Sequence, residues 1–236
     1  MDQIQDQKQE PEIKIVLADE SHVHYVDEIL ETIAAAAKVR GTGIAKRNPE
    51  YVKQKMIEGK AVLALCGDDF AGFSYIETWD NKQYVTTSGL IVPDRYRGKG
   101  LARRIKHMTF SLARKRWPEA KIFSLTSGAA VMKLNTQHGY KPVTFAQLTN
   151  DESFWHGCEG CVNFDVLQRT NRRYCICTGM LFDPNDPDCL AAAQKELDLD
   201  PTCRETIEAK YGPMPPYKLP EKESKTLLDK IKSLFK

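Results

Sequence analysis

The chain has 236 residues and a formal net charge of only +2, from 34 basic and 32 acidic side chains. That balance argues against a dedicated nucleic-acid binder, whose basic footprint normally shows in the total. The length allows one good core plus an appendage, or two small domains, and no apolar run reaches the ~18 residues of a membrane span.

The opening "MDQIQDQKQEPE" is polar and lacks the basic-then-apolar pattern of a secretory signal, so the expected location is cytoplasmic. Residues 1–12 also lack periodicity and read as disordered. "IKIVLA" reads as a first strand. Asp19 and Ser21 then offer N-caps to a helix with Val26, Ile29, Leu30, Ile33 and Ala37 on one face, and Gly41 is placed to end it. After a loop with two glycines, Asn48-Pro49 caps a short helix reaching about Glu58. "AVLALCG" and "FAGFSYIETW", joined at Asp68-Asp69, predict a hairpin, and "QYVTTSGLIV" extends the meander.

Leu101, Ile105, Met108 and Leu112 form the apolar stripe of the next helix, with Arg103, Arg104, Lys106 and Arg114 on its other faces and Pro118 stopping it. "KIFSLTS" predicts a buried strand, "AAVMKLNTQHGY" a helix ending at Gly139, and "KPVTFAQL" a last strand. The order β α α β β β α β α β over 13–148 gives an α/β or α+β class. Beyond Leu148 the texture changes to Cys, Asn, Arg and aromatics, predicting an irregular Cys-rich appended lobe over 149–184. Residues 185–236 are rich in Pro and charge, and end in "KTLLDKIKSLFK", either a short amphipathic helix or a frayed tail.

The stretch "GLIVPDRYRGKGLARRIKHM" carries most chemistry. Gly98 and Gly100 let the backbone turn tightly and aim several N–H groups at one anion. The helix beginning near Leu101 adds a partial positive charge, and Arg95, Arg97 and Lys99 add whole ones. Together they suit a pyrophosphate, although a glycine turn on a solvated basic helix is the plain alternative. No Gly-Lys-Ser/Thr follows, which disfavours nucleotide hydrolysis, and the GxGxxG dinucleotide fingerprint is missing.

"LIVPDRYRGKGLA" resembles the Q/R-x-x-G-x-G/A signature of the GNAT acyltransferase superfamily, through Arg95, Gly98 and Gly100. The resemblance covers about Ile13 to Leu148. It implies the GNAT fold, a mixed and mostly antiparallel twisted sheet flanked by helices. It also implies acetyl-CoA or succinyl-CoA as co-substrate, with the pyrophosphate on backbone N–H groups of Tyr96 to Leu101. The backbone of Leu90, Ile91 and Val92 would pair with the pantetheine arm, and the Val92 N–H would meet the oxyanion. "VMKLNTQHGYKPV" resembles the family's following motif, with Asn135 where many members carry a proton-donating Tyr; an amide can hydrogen-bond there but is no acid. A narrower resemblance, through "AAAAKVRGTGIAKRNPEYVKQKMIEGKAV" and the Cys-rich segment to Pro184, is to bacterial GNAT-like proteins of arginine biosynthesis that N-acylate glutamate.

Acyl transfer to an amine needs a proton acceptor, and a modest base suffices for an α-amine of pKa near ~8. Glu77, late on its strand, is the candidate base, with a surface carboxylate as the rival reading. Arg40, Lys46 and Arg47 flank or lie in the glycine loop and suit a small amine acceptor bearing carboxylates, or simply a solvated loop. Cys158-x-x-Cys161 and Cys175-x-Cys177 have spacings that a four-thiolate zinc site could use, though free or buried thiols are the ordinary alternative for cytosolic cysteines. The competing functions are acylation of another amine (a peptide N-terminus, a protein lysine or an amino sugar) and a zinc-stapled regulatory or nucleic-acid-binding module on a GNAT scaffold.

Overall fold

The computed structural model describes residues 12–41, 44–199 and 201–215. Seven strands, Ile13–Leu17 (β1), Ala61–Cys66 (β2), Asp69–Trp79 (β3), Tyr84–Ile91 (β4), Lys121–Thr126 (β5), Lys141–Val143 (β6) and Thr178–Phe182 (β7), form one sheet of order β1-β2-β3-β4-β5-β7-β6. All neighbours are antiparallel except β4 and β5, which run parallel.

The helices are Val26–Arg40 (α1), Pro49–Ile57 (α2), Leu101–Arg116 (α3), Ala129–Gln137 (α4), Glu152–His156 (α5), Phe164–Arg169 (α6), Pro187–Leu197 (α7) and Pro201–Tyr211 (α8). Local chemistry sets several of their ends. Gly41 terminates α1 in the left-handed conformation at φ 69°, and the Asn48 side chain accepts the Glu50 N–H at 2.8 Å to open α2. Asp19 caps a short 3-10 turn, Glu20–Tyr25, that leads into α1.

Both faces of the sheet are covered, as the period of two along β2 shows. Val62 and Ala64 join one core with Ile105, Met108 and Leu112 of α3, while Ala61 and Leu63 join the other with Ile29, Ile33, Val52 and Met56 of α1 and α2. Each such large apolar side chain adds about 1.5–3 kcal/mol by leaving water. A third cluster, Phe123, Phe145, Leu148, Trp155, Leu167 and Leu181, joins the Cys-rich region to the end of the sheet.

Two regions differ from the sequence expectation. The segment expected as an appended lobe contributes β7, which is hydrogen-bonded between β5 and β6. Its apolar "TGMLF" completes the sheet, so 149–177 is an excursion between two neighbouring strands. The region beyond 184 was expected as a tail, yet α7 and α8 place Cys189, Leu190, Ala193, Cys203 and Ile207 in the α3 core. The expected last strand is also shorter: only Lys141–Val143 pairs, and a 3-10 turn, Phe145–Gln147, follows. Residues 1–11 and the final "KTLLDKIKSLFK" lie outside the described residues.

Candidate active site

The site begins where the sheet opens. β4 and β5 are paired from Tyr84–Lys121 to Thr86–Phe123, and beyond that they part. A bulge in β4 contributes to the divergence: Ile91 faces Phe73 and Ser88 faces Tyr75, so Gly89 and Leu90 together oppose one residue, Ser74. Gly89 has φ 66°, and a Cβ there would lie 2.8 Å from the Tyr75 ring, so no other residue fits without displacing that ring. The gap holds a channel of about 110 Å³ lined by Leu90, Ile91, Arg40, Lys106, Ser124 and Thr126 among others.

At the end of β4 stands the glycine turn. Gly98 (φ 80°) and Gly100 (φ 74°) both have open space where a Cβ would sit. Packing therefore does not require glycine here; the left-handed backbone does, and it leaves the turn's surface clear for a ligand. Gly100 is the N-cap of α3, whose first turn carries no acidic residue, so the helix N-terminus keeps its positive potential. Tyr96 is buried and anchors the turn to the core. The guanidinium groups are partly engaged at home, Arg95 with Glu28 at 3.1 Å and Arg97 with Asp94 at 2.7 Å.

On the other side of the opening lies a cavity of about 520 Å³. Its walls are aromatic and sulfur-bearing: Tyr51 and Tyr75, Trp79, Phe145, Phe154 and Phe164, and all four cysteines Cys158, Cys161, Cys175 and Cys177. Lys46 and Arg47 lie on the wall. Arg47 is fixed there, donating from Nε to the Tyr75 hydroxyl at 3.0 Å, from Nη1 to the Ala45 carbonyl at 2.8 Å and from Nη2 to Ser88 Oγ at 3.3 Å. The cavity and the channel share Arg47, Thr87, Ser88, Ser124 and Leu125 in their walls, so the two are neighbours.

The fold has solved counterparts. N-acetylglutamate synthase from Neisseria gonorrhoeae, complexed with coenzyme A and N-acetyl-glutamate, superposes with a TM-score of 0.54 at 14% identity over 73% of this chain and 35% of its own. A Mycobacterium tuberculosis protein in complex with CoA gives 0.52 at 15% identity over 72% of this chain and 98% of its own. YncA from Salmonella typhimurium, with its cofactor acetyl-CoA, gives 0.50 at 14% identity over 74% and 95%. The chain has the GNAT fold. It spans about a third of the length of the Neisseria enzyme. No protein-family model matches the sequence, and no curated protein sequence does.

Within this GNAT fold the expected site residues separate into two groups. Leu90 and Ile91 line the channel, as does Arg40, while Lys46 and Arg47 line the cavity. Val92, the residue after β4, is buried and lines neither opening, and its carbonyl accepts from Arg97 Nε at 3.1 Å. Glu77 and Asn135 are not brought to either opening.

Glu77 stands between Tyr75 and Trp79 on the same strand face, but its carboxylate is held by Lys55, by Lys60 at 2.8 Å and by the Thr78 N–H at 2.8 Å. Burial pushes its pKa up, yet the lysine hydrogen bonds outweigh that and leave it below the usual carboxylate range. The expectation of a base facing substrate is corrected accordingly: this carboxylate neutralises two lysines behind the wall. Asn135 is fully buried and donates from Nδ2 to Ser124 Oγ at 2.7 Å. Its link to the lining of either opening is that serine.

The four thiols share a wall, but no three of their sulfurs lie within 4.8 Å of one another. A tetrahedral zinc with Zn–S of ~2.3 Å needs sulfurs about 3.8 Å apart. As placed, the cysteines do not fit the metal, and no step is derived through one.

Sequence reading missed Lys106 and the aromatic wall. Lys106 was assigned to a basic face of α3, but α7, α8 and the sheet bury that helix on nearly every side. The wall draws Tyr51 from α2, Tyr75 from β3 and Phe154 from α5, and no local pattern links residues so far apart.

Proposed function

We propose that this chain is an acyl-CoA-dependent N-acyltransferase that moves an acetyl or succinyl group to the amine of a small anionic acceptor, glutamate foremost, the reaction that opens arginine biosynthesis. The observation that carries this reading is the succession of three features: the open glycine turn after β4, the channel where β4 and β5 part, and the 520 Å³ cavity that shares part of that channel's wall. Backbone N–H groups of Tyr96 to Leu101 would receive the pyrophosphate. The β4 edge facing β5, unpaired from Thr87 onward, offers hydrogen-bonding groups to the amide-bearing pantetheine arm. The Val92 N–H would donate to the oxyanion that forms when the amine attacks the thioester.

Lys46 and Arg47 supply cationic walls for an acceptor carboxylate. The volume lies within the ~300–1,000 Å³ of ordinary small-molecule sites and exceeds the needs of a very small acceptor, leaving room for the longer succinyl group. A second reading is favoured by the aromatic wall itself: an acceptor amine with a bulky apolar side chain would cover Tyr51, Tyr75 and Trp79 from water.

The test is to incubate the purified full chain with acetyl-CoA or succinyl-CoA and a panel of amines, and to follow free thiol. Turnover with glutamate supports the first reading, and turnover with aromatic or branched amino acids in its place supports the second. Acylation confined to polyamines or protein lysines would remove the small anionic acceptor. The cytoplasmic location belongs to the same proposal; among the described residues no helix is long and apolar enough to cross a membrane.

A further inference from the structure

Lys106 is 2% exposed, yet it lines the donor channel. Its Nζ donates to Thr87 Oγ1 at 2.7 Å and to the Tyr140 hydroxyl at 3.2 Å, and lies 4.3 Å from the Tyr140 ring centroid. No carboxylate shares these contacts. Hydroxyl groups and a ring face solvate an ammonium only in part, and an ammonium buried without a counter-charge is costly. Burial accordingly pushes Lys106 down to about 7.

The chemistry of its neighbours isolates it. The other channel-lining side chains are apolar, hydroxyl-bearing, or the guanidinium groups of Arg40 and Arg47, which stay charged. Beyond the channel, Tyr140 has its pKa raised by burial and remains a phenol. His138, at the end of α4, is pushed down to about 3 by burial and then by Lys106, so it is neutral. His107 and the Glu196–Arg103 pair lie behind that histidine. Asn135 offers no acid. Lys106 is therefore the channel side chain able to give up a proton and regain it near neutrality.

We propose that Lys106 is the catalytic acid of the transfer, its ammonium protonating the departing sulfur. The inference rests on the acyltransferase reading above. The acceptor nitrogen forms the C–N bond and sheds one proton to water. As the tetrahedral adduct collapses, the C–S bond breaks, its electron pair stays on sulfur, and sulfur takes the Lys106 proton. CoA leaves as the thiol, and the neutral lysine is recharged from solvent by the proton the nitrogen shed. The net movement is one proton from nitrogen to sulfur. A thiolate is already a fair leaving group, with thiol pKa values of ~8.5, so the gain belongs at the low end of the ~10²–10⁴-fold range of acid–base catalysis.

The sign of the pH dependence follows: the acid must be protonated, so kcat falls as pH rises through the Lys106 pKa. Two full-chain variants, Lys106→Met and Lys106→Arg, are compared with the wild type for CoA affinity by calorimetry and for kcat between pH 6 and 9.5. Methionine fills similar volume without a buried charge, which protects folding. The expected result is a kcat about 100-fold lower for Lys106→Met, with CoA affinity within threefold and no alkaline decline. Lys106→Arg should be comparably slow, because arginine keeps the charge but holds its proton. A Met variant within threefold of wild-type kcat, or an Arg variant that restores the rate, overturns the proposal. A wild type that neither binds CoA nor releases thiol overturns the acyltransferase reading itself, a result distinct from equal activity in wild type and variant.

Discussion

The channel between β4 and β5 and the larger cavity, proposed above as donor and acceptor sites, share Thr87, Ser88 and Ser124 but are built from different material. The channel side is largely backbone: two parallel strands that part, a bulge at Gly89, two left-handed glycines and a helix N-terminus. The cavity side is largely side chain, with aromatic rings and thiols drawn from α2, β3, α5 and α6 and the loops around them. A backbone site is specified by a few adjacent residues and recognises a group common to many molecules. A side-chain site is specified across the whole chain and selects among molecules. This contrast matches a constant donor and a particular acceptor.

The comparison can be broken most decisively at the turn. Gly100→Glu puts a non-glycine residue at φ 74°, costing about 1–2 kcal/mol, and adds a carboxylate where a pyrophosphate would bind. CoA affinity should fall about 100-fold or more by calorimetry; unchanged affinity would move the donor site elsewhere.

On the acceptor side, Trp155 is buried, donates its Nε1–H to the Thr149 carbonyl at 2.9 Å and packs on Phe145 and Phe154. Trp155→Ala should cost about 3–5 kcal/mol in urea unfolding. It should do so in a single transition, because β7 ties the excursion into the main sheet. Two separate transitions would restore an independent lobe.

A smaller effect separates the two halves directly. Lys46 lines only the cavity and Arg40 only the channel. Lys46→Gln should raise the acceptor KM about tenfold, roughly 1.4 kcal/mol, and leave the acyl-CoA KM alone. Arg40→Gln should do the reverse by a lesser factor. Equal effects on both substrates would mean that the halves are not distinct.

The smallest expected effect concerns Glu77 and Glu58. Burial raises both pKa values, but hydrogen bonds from Lys55 and Lys60 to Glu77, and from Lys60 and Gln54 to Glu58, outweigh it. Glu77 ends below the ordinary range and Glu58 at about 2. Depressed carboxylates stabilise the fold above their unfolded pKa of ~4.3, and that contribution is lost as pH falls through the folded values. Melting temperature should therefore drop as pH falls from about 4.5 toward 2, and Glu77→Gln should show a shallower drop. A hundredfold loss of kcat in that variant, with folding intact, would return the carboxylate to proton transfer.

Much of the donor half was legible in the sequence because its causes are local. Gly98 and Gly100 before an apolar stripe specify turn and helix within a dozen residues, and Gly41 and Asn48-Pro49 mark helix ends by their own backbone chemistry. The succession of strands and helices along the chain through β6 followed from the same punctuation. Glu77 was misread because its partners, Lys55 and Lys60, come from another helix and a loop; position on a strand says nothing about which ions lie across it. Lys106 was misread for the opposite reason: helix periodicity assigns a lysine to solvent unless something else covers that face.

By itself, then, the sequence determined the kind of molecule: an α/β chain with a left-handed glycine turn at the N-terminus of a helix. Tertiary structure alone decided that "TGMLF" is a strand between β5 and β6, that residues beyond 184 complete the α3 core, that four thiols line one cavity, and that a lysine lines the channel with hydroxyl partners. Turns and caps are fixed by backbone torsions a few residues apart. Burial, and with it the charge state of Lys106 and Glu77, depends on what the rest of the chain folds over them.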